Sequence, residues 1–318
     1  MTTTTFPFQL GDPVGHRGIV IAPLFPLRDP RARYIALDAA LARGLTITET
    51  SEAGDVPELT VANPLAEDVL LYDGAELVGA KQNRILNVSV LVAAGSTLRI
   101  PVSCTEQGRW RSVSKSFSPA PHIVNAELRR RKAAALSAEP LARGVAQQEV
   151  WKTVRGHAER LGSVSPTAAH RDLFRSRERE LDALAPEFRA EPGQCGAVLG
   201  LGEMLCLDAV SRPDVFADIW PKLRRGYLLD ALEQLDQPAT PPKRLLGFVD
   251  EVVDAPPTRG PAAGLGAVRH PAIGAGGRAG RGRAHPLRRA PAARAPHAGA
   301  HGGLGLPSRR GRRPPVQR

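Results

Sequence analysis

The densest run of side chains able to hold an anion is Gly79-Ala80-Lys81-Gln82-Asn83-Arg84. Lysine supplies a point charge, arginine a planar fork of donors, and the two amides both donate and accept, a set suited to a phosphate, a carboxylate or a ribose. The same composition also suits a solvated surface loop. A second run, Pro101 to Trp110, carries Ser103, Cys104, Thr105, Glu106, Gln107 and Arg109. Glu106 is the candidate catalytic residue, as a general base or as a metal or ribose contact; the plainer alternative is a salt bridge to Arg84 or Arg109. Cys104 shares the parity of Leu98, Ile100 and Val102, which predicts an inert buried thiol rather than a nucleophile.

Other motifs carry less. Gly200-Leu201-Gly202 lacks the third glycine and the following helix of a dinucleotide fingerprint and reads as a strand turn. His157 and His170 have no partners at metal-ligand spacing and read as structural histidines. The three cysteines, Cys104, Cys195 and Cys206, form neither a disulfide framework nor a Cys-x-x-Cys pair, so no metal site is expected.

The two polar runs must be positioned by β-structure. Arg17 to Phe25, Thr46 to Thr50 and Leu59 to Ala62 are strand candidates, with a short helix over 36–43. Val69 to Tyr72 and Ala75 to Val78 flank Asp73-Gly74, a tight-hairpin dipeptide. Leu86, Val88, Val90 and Val92 alternate, and Leu98, Ile100 and Val102 repeat the pattern after Gly95, which predicts a hairpin over Ile85 to Cys104. Such a hairpin lays 81–84 beside 103–109.

Beyond Trp110 the periodicity becomes helical: Asn125 to Ala138, then a stripe of Val150, Trp151, Val154, Ala158 and Leu161, then a helix opening at Ser165-Pro166 and running through His170, Phe174, Leu181 and Leu184. Gln194 to Leu207 returns to strand character. Ser211-x-x-Asp214 has the form of a capping box before a helix with Phe216, Ile219, Trp220, Leu223 and Tyr227 on one face.

The string Asp73-Gly74-x-Glu76-Leu77-x-Gly79-Ala80-Lys81-Gln82-Asn83-Arg84, together with Leu59 to Asn63 and Pro101 to Trp110, resembles a domain family named for its association with ADP-ribosylglycohydrolase, rhodanese and phosphatase-superfamily proteins. Gln148-x-x-Trp151 and Ser165-Pro166-Thr167 support the resemblance, which spans roughly 15–250. It implies a bacterial α+β module acting near ADP-ribose or nucleotide metabolism, and it brings no established reaction or cofactor.

The formal charge of +11 is unevenly placed. Residues 255–318 hold 13 arginines and no Asp, Glu or Lys, so the first 254 residues carry slightly more acidic than basic side chains. With 50 of its 64 residues Gly, Pro, Ala or Arg and no Phe, Tyr or Trp, the tail lacks the apolar surface to offset backbone ordering. It reads as irregular. The mixture is what a GC-rich gene gives out of frame, and that reading is preferred to a passive linker, and a linker to a nucleic-acid arm at Gly280 to Arg283 and Arg309 to Arg313.

No apolar run long enough for a membrane span and no signal-peptide pattern is present, so a cytoplasmic protein is expected. The expected architecture is α+β over 1–254, a mainly antiparallel N-terminal sheet (about 17–110) followed by a helical region (about 125–235), with the irregular tail 255–318. The expected function is binding or processing of an ADP-ribose- or nucleotide-like phosphorylated ligand at Lys81, Gln82, Asn83, Arg84 and Arg109 with Glu106, or, as the alternative, protein docking through the same polar strip.

Overall fold

Apolar residues occupy both faces of the segment 19–24, and this makes it a central strand. The computed structural model describes residues 7–30, 32–51, 57–138, 143–255, 257–260 and 268–271. In chain order its first strands are β1 (Phe8–Leu10), β2 (Val14–His16), β3 (Ile19–Pro26) and β4 (Tyr34–Ala36), followed by α1 (Leu37–Ala42). Next come β5 (Thr46–Glu49), β6 (Glu58–Ala62), β7 (Asp68–Leu71), β8 (Ala75–Gly79), β9 (Arg84–Leu86), β10 (Val90–Val92), β11 (Thr97–Cys104) and β12 (Phe117–Ile123). The helices α2 (Ala126–Ala138), α3 (Arg143–Arg160), α4 (Arg171–Ser176) and α5 (Glu178–Leu184) precede β13 (Gly196–Leu201) and β14 (Met204–Ala209). Helices α6 (Pro213–Ala231) and α7 (Pro242–Asp254) follow, then β15 (Pro257–Gly260) and β16 (Val268–Pro271).

The fold is α+β. One sheet has the order β1-β3-β13-β14 with β2 also on β3, a second is β10-β7-β4, and a third, which carries the candidate site, is β12-β8-β9-β11-β6-β5. All pairings are antiparallel except β4 with β7. Ile19 and Ile21 of β3 face the main core with α6, whereas Val20, Ala22 and Leu24 face Leu245, Phe248 and Val249 of α7. Strands pair across long sequence separations, so β-structure is not confined to 17–110: β13 lies on β3 and β12 on β8.

Several local expectations change in context. Strands β7 and β8 flank Asp73-Gly74, and Ala75 N–H donates to the Tyr72 carbonyl at 3.1 Å, yet the two strands do not form a hairpin. Gly74 (φ +77°) lies against the Arg129 side chain, where a Cβ would collide, and its N–H and C=O bond to Leu86 and Val124. The turn therefore sends the chain from one sheet to another. The alternating run from Leu86 also splits into β9 and β10, because Asn87 accepts from Ser103 Oγ (2.8 Å) and Ser89 Oγ accepts from Asp73 N–H (2.9 Å) between them. The pairing that mattered for the site does form, with Arg84 opposite Cys104.

Ser165 does not open the helix. Its hydroxyl donates to Asp172 (2.6 Å) and accepts from Ala169 N–H (2.9 Å), holding a turn, and helical structure begins at Arg171 and breaks at Arg177. The Ser211 capping box is also not made: Ser211 Oγ bonds Tyr34 Oη (2.7 Å), and Asp214 pairs with Arg212. The stripe Phe216, Ile219, Trp220, Leu223 and Tyr227 is buried as read. Strand β12 and helix α7 were not anticipated. The ladder β15–β16 lies past the composition change at 254/255, where irregular chain was expected, while the arginine clusters at 280–283 and 309–313 lie outside the described residues. Among the described residues no helix is long and apolar enough to cross a membrane.

Candidate functional site

The two polar runs converge. Glu106 Oε2 accepts from Arg109 Nε at 2.8 Å and lies 2.6 Å from Nη2, Glu106 Oε1 accepts from Thr167 Oγ1 at 2.9 Å, and Asn83 N–H points to Oε2 at 3.4 Å. Arg109 spans the junction, donating to the carbonyls of Ala80 (2.8 Å) and Arg111 (3.0 Å) and to Asn83 Oδ1 (3.1 Å). Ala80 adopts φ +40°, an uncommon conformation for a residue with a Cβ, and so turns its carbonyl toward the guanidinium. Burial pushes the Glu106 carboxyl up, but the hydrogen bonds from Arg109 and Thr167 outweigh it and hold the group below its usual range. Glu106 is thus an ionised partner of Arg109.

The remaining residues of the first run face elsewhere. Arg84 is fully buried, donates to Gln82 Oε1 (3.0 Å) and lies 4.0 Å from Glu49. Gln82 is buried too, holding the Glu106 carbonyl through Nε2 (2.9 Å) and accepting from Cys104 Sγ (2.9 Å). Lys81 sits with its ammonium 5.7 Å from the Trp110 ring centre. Burial raises the Cys104 thiol above its usual range, in line with an inert role.

Glu106, Arg109 and Asn83 line a cleft of about 810 Å³ that also takes in Arg111, Arg171, Asp172 and Arg175. Four arginines and two acidic residues therefore line one opening. Apolar contributions come from Val78, Val113, Val164 and Pro166. The sequence missed the arginines of α4, which reach the cleft because the 165–170 turn is stitched to the end of β11. Gly108 N–H donates to the Thr167 carbonyl (2.8 Å), His170 N–H to the Thr105 carbonyl (2.9 Å), and Glu106 and Ala169 form a bridge. Gly108 is required here, since a Cβ would fall 2.9 Å from Thr167 Cα.

Alternate residues of this junction point to opposite sides. Glu106 and Ala169 line the cleft, while Thr105 and His170 point into the interior. There Thr105 Oγ1 donates to Glu76 Oε1 (2.7 Å), and Glu76 Oε2 lies 2.5 Å from His122 Nε2 and 3.6 Å from His170 Nδ1. One ligand atom from each of Glu76, His122 and His170 lies within 4.8 Å of the others, and all three residues are buried. Burial pushes the His122 imidazole below its usual range despite Glu76, and its ring stacks on Phe174 with centroids 3.6 Å apart.

Asn125 joins this centre to a second one. Its Oδ1 faces His170 Nε2 (3.0 Å), and its Nδ2 donates to Asp230 Oδ1 (2.6 Å) and approaches His157 Nε2 (2.9 Å). His157 is surrounded by Glu127 (3.1 Å), Glu233 (2.5 Å) and Asp230 (3.7 Å). Burial opposes its charge, but the carboxylates raise its pKa to about 9. A third buried group, Asp208, receives Arg129 through both oxygens (2.5 and 2.7 Å) with Tyr72 (2.7 Å) and Tyr227 (2.5 Å). It ties α2 and α6 to the sheet. Its carboxylate has both oxygens committed.

The arrangement defines an α+β domain with an arginine-lined cleft set over a buried imidazole-carboxylate centre. The profile of the ARG and Rhodanese-Phosphatase-superfamily-associated Protein domain, ARPP-1, matches residues 7–280, and the chain belongs to that family. The match runs past the composition change at 254/255. No curated protein and no solved structure matches the chain.

Proposed function

We propose that the cleft binds a phosphorylated, nucleotide-like ligand such as an ADP-ribose derivative. The observation that carries this reading is the surplus of arginines left once Arg109 is paired with Glu106, namely Arg111, Arg171 and Arg175 against Asp172, around a cavity of about 810 Å³. That volume suits a nucleoside diphosphate, and paired arginines suit its phosphates. The apolar wall of Val78, Val113 and Pro166 offers a surface for a base or sugar face. Glu106, already bonded to Arg109 and Thr167, holds the guanidinium plane at the cleft floor in this proposal, which favours binding over bond cleavage.

Calorimetric titration of the full chain with ADP-ribose, NAD and ADP tests it. Arg171→Glu and Arg175→Glu are each expected to weaken binding about tenfold or more. Absence of heat and of a thermal shift at ~5 mM of every ligand, a concentration that reveals even millimolar affinity, sinks the proposal. The competing reading, a protein-docking surface, draws on the rim, where Trp110, Val113 and Val164 are 51%, 56% and 91% exposed. Trp110→Asp separates the two, since Trp110 lies on the rim but not in the lining of the cleft: the substitution blocks a docked protein and leaves nucleotide binding in place.

A further inference from the structure

We infer that Glu76, His122 and His170 form a binding site for a first-row divalent transition-metal ion with the ligand preferences of Zn²⁺. The argument starts at Asn125. Its Nδ2 is committed to the Asp230 carboxylate, so the end facing His170 is the carbonyl oxygen, which accepts only a proton carried on His170 Nε2. That fixes the tautomer of the neutral ring and leaves a lone pair on Nδ1. This atom is buried, has no hydrogen-bond partner among the described residues, and stands 3.6 Å from a carboxylate oxygen of Glu76.

Two acceptors facing each other in a dry interior repel unless a cation lies between them, either a second proton on His170 Nδ1 or a metal ion. A proton on His122 Nε2 satisfies the contact with Glu76 and leaves His170 Nδ1 empty. A metal ion satisfies all three atoms together. Ligands on a tetrahedral ion with bonds of roughly 2.05 Å stand about 3.3 Å apart. The 3.6 Å from Glu76 Oε2 to His170 lies near that value, whereas the 2.5 Å to His122 is a hydrogen-bond contact, so an ion requires His122 to draw back by about 0.8 Å. The donor set of two imidazoles and one carboxylate is one that Zn²⁺ and its neighbours accept, with a fourth position left open.

Two of the three ligands have the outer contact that a metal centre needs, while His122 Nδ1 is buried with no hydrogen-bond partner among the described residues. Thr105 Oγ1 bonds the second oxygen of Glu76, and the Asn125 carbonyl takes the distal N–H of His170, so a ligand on each is held in orientation. The centre also lies one residue behind the cleft, since Thr105 precedes Glu106 and Ala169 precedes His170. The neighbouring group of Glu127, His157 and Asp230 has ligand atoms equally close, but both ring nitrogens of His157 already face carboxylates and offer no lone pair to an ion.

The test is metal analysis of the full chain. Protein stripped with chelator and reloaded is expected to take up about one Co²⁺ or Zn²⁺ per chain, with visible absorption for Co²⁺ bound by nitrogen and oxygen and a raised Tm. His170→Gln and Glu76→Gln should abolish uptake. Thr105→Val, which keeps every ligand, is expected to fold and to weaken affinity about 10–100-fold. His157→Gln should bind as wild type does. Folded wild-type chain that takes up less than ~0.1 equivalent, far from the single ion of a built site, overturns the inference, as does unaltered uptake by Thr105→Val and His170→Gln together. Nucleotide binding in the cleft is read separately by calorimetry, so either proposal stands or falls without the other.

Discussion

The two histidine centres on either side of Asn125 are built from the same residue types in inverted ratio. Around His157 one imidazole meets Glu127, Asp230 and Glu233, whereas at Glu76 one carboxylate meets two imidazoles. Where carboxylates are in excess, each ring nitrogen finds an acceptor and a proton completes the site, so the histidine is a cation. Where imidazoles are in excess, a nitrogen lone pair is left without a donor. The ratio decides what fills the site. Asn125 keeps the two apart, because its amino end faces the carboxylate-rich side and its carbonyl the imidazole-rich one.

The largest expected effect comes from removing that divider. Asn125→Leu leaves the buried His170 N–H without its acceptor and strips the Asn125 donor from Asp230 Oδ1, while Glu127 N–H still reaches Oδ2, and should cost about 3–5 kcal/mol of unfolding free energy in a denaturant titration. A loss under about 1 kcal/mol, the net value of one ordinary hydrogen bond, would break the comparison at its root.

Next in size is a pH effect confined to the carboxylate-rich side. The folded state binds the His157 proton more tightly than the unfolded chain does, so its contribution is complete below the unfolded pKa near 6.5 and fades as pH rises through about 9. Stability measured between those values should fall by up to about 3 kcal/mol in the wild type. His157→Gln should flatten that slope, and an equal slope in both proteins would assign it to other groups.

The smallest effect tests the ratio itself. Glu233→Gln removes one of the three carboxylates while Glu127 and Asp230 remain, and Arg160 keeps its contact with Glu127 at 3.1 Å. His157 should stay protonated at neutral pH, its pKa lowered by about one unit in an NMR titration, for a cost of about 1 kcal/mol. A neutral ring at pH 7 would show that Glu233 alone governs its charge.

Three residues of the cleft, Asn83, Glu106 and Arg109, were legible in the sequence because they are local to one pair of strands, while Lys81, Gln82 and Arg84 do not line it. The alternation through Leu98, Ile100 and Val102 put Cys104 inward and brought Arg84 opposite it, and Glu106 with Arg109 are neighbours three residues apart. The sense in which Arg84 and Gln82 point was not legible, since a charged run gives no signal for which member the sheet will cover. The arginines of α4 were hidden because Ser165 forms a turn where its sequence reads as a helix start. The buried centres were less legible still, as Glu76, His122 and His170 come from separate elements with no motif spacing. One signal was available: Glu76 sits in a strand whose neighbours Ala75, Leu77 and Val78 are all apolar, and an isolated carboxylate in such a run needs a buried partner.

The alternation at the junction of β11 with the 165–170 turn also limits how this chain can change its length. Thr105 serves the interior and Glu106 the cleft, and Ala169 and His170 divide the same way across the bridge. Inserting or deleting one residue at either segment would exchange those duties, driving a glutamate toward the imidazoles and an imidazole toward the arginines. Substitutions can adjust either face separately, but length variation here alters both at once, so this short stretch must keep its residue count.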